Sequence, residues 1–194
     1  MMLNPKALSD LISKRRSIFP NMYNNEPISD NLIWEILGAA NWAPNHKKTE
    51  PWRFKVYRKD ALKRLSIYLS NYYKKHTLNE NFSERKYEKT KGKPLRSDCV
   101  IAICMQRNLE GILPEWEEIA AVSSAVQNMW LMCTANGIGA YWSSPDAAIK
   151  GESFFELNEG ERCLGLLYMG KWEEIEIKSD RKSPIEDKVV WIEE

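Results

Sequence analysis

From Ile119 to Pro145 no residue carries a charge, and this run limits the possible folds more than any other feature of the chain. It follows Pro114 and the acidic group Glu115, Glu117 and Glu118, and it reaches Asn136-Gly137 before its character changes. Proline suits the opening of a helix, and carboxylates suit its first turns, where unpaired N–H groups point outward. Asn-Gly suits a left-handed stop. The pattern predicts a long helix that is apolar or small on nearly every side and so buried all round, as the core helix, as one side of a large subunit contact, or as both. Ser123, Ser124, Gln127 and Asn128 make the segment too polar to span a bilayer.

The other elements fall on either side of this run. Leu3 to Lys14 reads as a first helix, with Leu8, Leu11 and Ile12 on one face. Ser29-Asp30 offers cap chemistry for a second, in which Leu32, Ile33, Ile36, Leu37 and Ala40 recur at helical spacing. Trp52 to Arg58 alternates apolar against basic, the pattern of a strand with one buried face. Lys59 to about Lys91 is helical in pattern, with the stripe Leu62, Leu65, Tyr68 and Leu69. Cys99 to Met105 is a continuous apolar run, suited to a central strand covered on both faces. A strand at Ile138–Ser144, a short helix from Ala147 to Leu157 and a buried strand from Arg162 to Gly170 complete the pattern. The tail from Lys171 is charged and closes on Val189-Val190-Trp191-Ile192, an apolar piece that needs a sheet edge to join. No repeat and no boundary divides residues 1–194, which reads as a single α+β unit.

Charge is nearly balanced, with 28 basic and 27 acidic residues, so no overall field recruits nucleic acid or a membrane surface. From Glu84 to Arg96 six basic residues face two acidic ones; this reads as a solvated surface or as a lid offering positive charge to an anionic substrate. A nucleic-acid module built on that run with Tyr72, Tyr73 and Tyr87 is disfavoured by the overall balance. Cys99, Cys104, Cys133 and Cys163 lack Cys-x-x-Cys spacing and lie in apolar runs, as core thiols of a reducing compartment do. The N-terminal residues lack the apolar core of a signal peptide, so the expected location is the cytoplasm.

Two stretches carry candidate chemistry. Arg15-Arg16-Ser17 ends the first helix, where cations suit the dipole; two guanidiniums and a hydroxyl also match a phosphate dianion. Trp42 to Trp52 is stiffened by Pro44 and Pro51 and polar from Asn45 to Glu50, so it reads either as a surface crossover or as a loop built to hold something flat and polar. Only His46 and His76 are available as imidazoles, which leaves no metal site of ordinary spacing. There is no Gly-x-Ser-x-Gly elbow and no phosphate-binding Gly-rich Lys-Ser/Thr loop. A chain this short of nucleophiles and acid–base groups suits an enzyme whose cofactor carries the reaction, and a phosphate site joined to an aromatic, hydrogen-bonding wall fits flavin mononucleotide.

Taken together, the blocks resemble the nitroreductase family of FMN-dependent oxidoreductases. Arg15-Arg16-Ser17 resembles its Arg-Arg-Ser motif, and Ala43-Pro44-Asn45 with Glu50-Pro51-Trp52-Arg53-Phe54 resembles its Ala-Pro-Ser and Gln-Pro-Trp-Arg-Phe segment. Gly137 to Trp142 and Leu164 to Gly170 resemble its later glycine strand and penultimate strand. The Asn45-His46-Lys47 version is similar to a compact subgroup of small nitroreductases. The resemblance implies an α+β, mostly antiparallel, intertwined homodimer with FMN at the subunit interface and an arm, about residues 171–194, exchanged with the partner. It implies that Arg15, Arg16 and Ser17 hold the phosphate and ribityl chain and that Arg181 closes on the phosphate. Asn45 and His46 then approach the ring from the other subunit, and Trp142, Ser143 and Ser144 line it. It implies no catalytic side chain, the chemistry lying on the flavin, and ping-pong transfer from NAD(P)H to a nitroaromatic, quinone or similar acceptor. A flavin- or aromatic-ligand-binding dimer without turnover is the other reading. Phe19, Lys48, Glu50 and Ser143 depart from the family pattern at the second phosphate cation, the loop amides and the residue after the tryptophan.

Overall fold

The computed structural model describes residues 4–175, 177 and 181–193. Four antiparallel strands form the centre: β1 (Trp52–Tyr57), β2 (Cys99–Gln106), β3 (Ile138–Ser143) and β4 (Glu161–Lys171), in the order β1-β2-β4-β3. β2 is covered on both faces, as its unbroken apolar run requires. Cys99, Ile101, Ile103 and Met105 join a core with α2 (Asp30–Ala40) and α5 (Glu115–Ala135). Val100, Ala102 and Cys104 join a second core, with α3 (Asp60–Lys75) and the single turn α6 (Asp146–Ile149). Cys99 and Cys104 therefore sit on opposite faces, and all four cysteines are free and buried. Burial pushes the Cys99 thiol up to about 12, so it stays protonated and inert.

The first helix, α1 (Pro5–Lys14), opens on Asn4, whose side chain accepts the Lys6 N–H, with Pro5 at the first helical position. Leu3, expected to begin it, lies outside the described residues. None of its residues is buried, and Leu8 and Ile12 are each 50% exposed, so the expected apolar face is present but uncovered within one chain.

Three expectations change. The stretch 59–91 is not one helix: α3 ends at Lys75, and α4 (Glu84–Leu95) begins only after a turn at Asn79–Asn81. Ser83 caps the new helix by accepting the Lys86 N–H, and its own N–H donates to the Tyr73 hydroxyl at 3.0 Å. The helix expected from Ala147 to Leu157 stops after one turn at Ile149, and residues 152–156 form turns instead. α5 begins after Pro114 and ends just before Asn136-Gly137, as the sequence indicates, but it is not buried all round. Ala121, Val122, Ala125, Val126, Met129 and Cys133 are buried, whereas Trp116 is 67% exposed and Ala120 and Gln127 also face outward. The tail finds no strand partner among the described residues, and Val190, Trp191 and Ile192 are 84%, 83% and 85% exposed.

After α1 the chain runs along the outer edge of β3. The Ile18 N–H donates to the Ala140 carbonyl at 3.0 Å, and the Asn24 N–H to the Lys171 carbonyl at 2.8 Å. Between them Tyr23 lies over Gly170, its hydroxyl 2.8 Å from the Ile18 carbonyl and 3.0 Å from that of Tyr168. A Cβ on Gly170 would sit 2.5 Å from the Tyr23 ring. Gly170→Ala should therefore cost about 1–3 kcal/mol through overpacking, read as a lowered urea midpoint with an unchanged slope. An unaltered midpoint would mean that the segment carrying Arg15, Arg16 and Ser17 is not held against the sheet in this way.

Candidate functional site

The chain leaves α1 through Arg15, whose guanidinium lies over the Trp130 ring at 4.6 Å. The same indole donates its Nε1–H to the Arg16 carbonyl at 3.2 Å, so one aromatic on α5 fixes both the charge and the backbone of the arginine pair. Arg16 turns towards the tail, its Nε donating to the Ile177 carbonyl at 3.2 Å and its Nη1 to the Ser13 and Arg15 carbonyls. Ser17 is exposed beside them. Burial first, then the charges of Arg16 and Arg181, hold Arg15 below the usual guanidinium value. Three cations from two distant parts of the chain thus gather at one place, and among the described residues no carboxylate pairs with Arg15 or Arg16. Such a cluster fits a multiply charged anion with oxygen acceptors.

The wall beside it comes from the end of β3. Trp142 is half-buried against the core formed with α2 and α5, Ser143 is half-buried, and Ser144 is exposed where the strand ends. Beneath the indole, Gly165 on β4 has φ +142, and any side chain there would collide with Trp142 Nε1 and the Ser143 carbonyl. Phe19, which stands where the family often has a second cation, tilts against Tyr141 at 4.5 Å between ring centroids. It packs on the opposite face of β3 from Trp142.

The Trp42–Trp52 loop is closed at its ends by the buried Trp52, whose Nε1–H donates to Asn41 Oδ1 at 3.2 Å. Asn45 is partly occupied within the loop, because its Oδ1 accepts the Glu50 N–H at 3.1 Å. Lys47, Lys48 and Glu50 all have left-handed φ, at 51°, 53° and 42°. Side-chain-bearing residues seldom adopt that region, and a run of three needs firm anchors. His46 supplies one of them: its ring stands 57% exposed, with Nδ1 2.7 Å from Glu117 Oε2 on α5. Lys48 and Glu50 point their backbone, not an amide side chain, into this part of the loop, which is where the chain departs from the family pattern.

These residues form two groups. Arg15, Arg16, Ser17 and Arg181 lie near one edge of the sheet with Trp142, Ser143 and Ser144, while Asn45 and His46 precede β1 at the other edge. Two strands intervene, a separation on the order of 14 Å across the sheet. Sequence reasoning did not find Trp130 or Glu117. Trp130 is one indole in a charge-free helix, and Glu117 reads fully as a first-turn carboxylate on the helix dipole, so neither carries a local signal of its second role.

Among the described residues no group of His, Cys, Asp and Glu has the arrangement of a metal site, and no helix is long and apolar enough to cross a membrane. Comparison with known proteins agrees with the site and the fold. The chain is 30% identical over 185 residues, 94% of its length and 92% of the relative's, to YfhC of Bacillus subtilis (strain 168), a provisionally named NAD(P)H nitroreductase. Its structure matches a nitroreductase-like protein from Bacillus cereus with a TM-score of 0.80 at 26% identity, over 100% of both chains. It also shares its fold with the FMN-dependent nitroreductase NfnB from Mycobacterium smegmatis, solved in complex with NADPH, at a TM-score of 0.75 and 14% identity, covering 97% of this chain and 99% of that one. Residues 12–171 match the Nitroreductase family, and the chain belongs to that family.

Proposed function

We propose that the protein is an FMN-dependent oxidoreductase that passes a hydride from NAD(P)H to a nitroaromatic, quinone or similar electron-poor acceptor, working as a homodimer. The observation that carries this reading is the convergence of Arg15, Arg16 and Arg181 beside Ser17, a cationic site matched to the FMN phosphate. The relatives support it, since NfnB depends on FMN and binds NADPH and YfhC carries an NAD(P)H nitroreductase name.

Bound FMN would supply the redox chemistry, accepting a hydride and returning the electrons to a second substrate. The side chains of this protein bind, orient and enclose. Arg15 and Arg181 hold the phosphate by charge-assisted hydrogen bonds, and Trp130 keeps Arg15 aimed at it. Arg16 directs one edge of its guanidinium to the tail backbone, so it couples phosphate binding to the placement of the arm. Trp142, Ser143 and Ser144 line the ring and keep water from one side of it. Asn45 and His46, two strands away in their own chain, reach the ring from the partner subunit.

That geometry requires two copies, and three further features favour them. The uncovered face of α5, the uncovered face of α1 and the exposed Val189–Ile192 segment are apolar surfaces that one chain leaves open. In this reading the arm, about residues 171–194, crosses to the partner. Four buried free thiols suit the reducing conditions of the cytoplasm.

The purified protein should be yellow and should bleach anaerobically on addition of NADH or NADPH. A yellow protein that does not bleach would make it a flavin binder without turnover, and a protein that stays colourless with added FMN would reject both. Arg15→Ala should weaken FMN binding by about 1.5–3 kcal/mol and be isolated largely as apoprotein with an unchanged fold. Retention of stoichiometric FMN after dialysis by both Arg15→Ala and Arg16→Ala would remove these residues from the phosphate site.

A further inference from the structure

We infer that Glu117 is the positioning residue of His46: it accepts the Nδ1–H, fixes the tautomer and rotation of the imidazole, and so presents Nε2 to the flavin ring. The inference rests on the flavin reading above and adds to it a residue that the loop motif does not contain.

The geometry is direct. His46 Nδ1 and Glu117 Oε2 are 2.7 Å apart, a short charge-assisted distance. A carboxylate can only accept at that nitrogen, so Nδ1 carries the proton. Nε2 has no partner among the described residues, and the ring is 57% exposed. The nitrogen that is held decides what the other can do, which makes the carboxylate the control on the free end of the ring.

The surroundings explain why a separate anchor is needed. His46 begins a turn in which Lys47, Lys48 and Glu50 take left-handed backbone angles without being glycine. The Thr49 N–H returns to the His46 carbonyl at 3.3 Å, and Asn45 Oδ1 holds the Glu50 N–H, so the backbone of the loop is closed on itself. Neither contact restrains the imidazole. Glu117 does so from outside the loop, on the first turn of the longest helix, with its side chain only 23% exposed. A residue serving the helix dipole alone has no need to reach across to the loop. Nearby Lys47 and Lys48 make no ion pair with Glu117 among the described residues, so the carboxylate is committed to the histidine.

The test has two arms. Nitrogen-detected NMR of imidazole-labelled protein reads the tautomer, with no need for turnover. Wild type should show His46 protonated at Nδ1; Glu117→Ala should move the proton towards Nε2; Glu117→Gln, whose amide oxygen still accepts, should keep the Nδ1–H form. The second arm is a double-mutant cycle on the midpoint potential of the bound flavin. Glu117→Ala should lower the potential in the wild-type background and leave it unchanged in a His46→Ala background, because Glu117 acts only through the ring. An unchanged tautomer in Glu117→Ala would overturn the proposal, as would an equal shift of potential in both backgrounds. If wild-type protein takes up no FMN, the flavin reading falls and this role falls with it, even where the tautomer is locked. The two failures are thus told apart by whether the wild type is flavin-loaded.

Discussion

The structure depends on a helix that one chain cannot finish covering. α5 has no charged residue after Glu118, and burial of its Ala121, Val122, Ala125, Val126, Met129 and Cys133 face against β2, β3 and α2 forms the larger core. Its opposite face is equally uncharged and remains open, from Trp116 through Ala120 to Gln127. An apolar surface of that size, continued by the open side of α1 and by the tail, is characteristic of an obligate interface and not of a monomer. The same helix carries the two residues that organise the proposed site. Trp130 near its end holds Arg15 and Arg16, and Glu117 at its start holds His46. Packing and cofactor binding therefore share one element.

That placement accounts for the distribution of the site residues. The cations and the Trp142 wall lie at the β3 edge of the sheet, the His46 loop at the β1 edge. Within one chain the two groups cannot touch a common ring, since β2 and β4 stand between them. A twofold pairing through α5 would bring the β1 edge of one copy towards the β3 edge of the other, and the proposed FMN site needs that juxtaposition. Affinity for the cofactor and affinity between subunits would then be linked, each raising the other by mass action.

Much of this was legible in the sequence where a single physical requirement acts alone. An apolar strand such as Cys99–Met105 has to be covered on both faces, and Arg15-Arg16-Ser17 has to lie where a helix ends. The errors arose where two requirements compete. Between Lys59 and Lys91 the apolar stripe continues, but Asn79, Asn81 and Ser83 offer side-chain hydrogen bonds to the backbone, and the helix breaks there. The apolar residues after Ala147 suggested a helix to Leu157, whereas Gly151 is pressed against the Ala147 carbonyl and Tyr68, so only one turn forms. Asn45 reads as a ligand contact from its motif, yet its Oδ1 is used to close the loop. The charge-free character of α5 was evident, but it does not distinguish burial within a chain from burial between chains. That difference lies in the other copy.

The central claim is that each FMN site takes Arg15 from one chain and His46 from the other. Subunit complementation tests it most directly. Arg15→Ala and His46→Ala chains, each impaired by itself, can be co-expressed and the mixed dimer isolated by orthogonal tags. A shared site predicts that the mixed dimer contains one fully wild-type site, and so recovers FMN and NAD(P)H-dependent turnover above that of either parent. A mixed dimer whose turnover equals the average of the two parents would place both residues in the same chain's site and contradict the account.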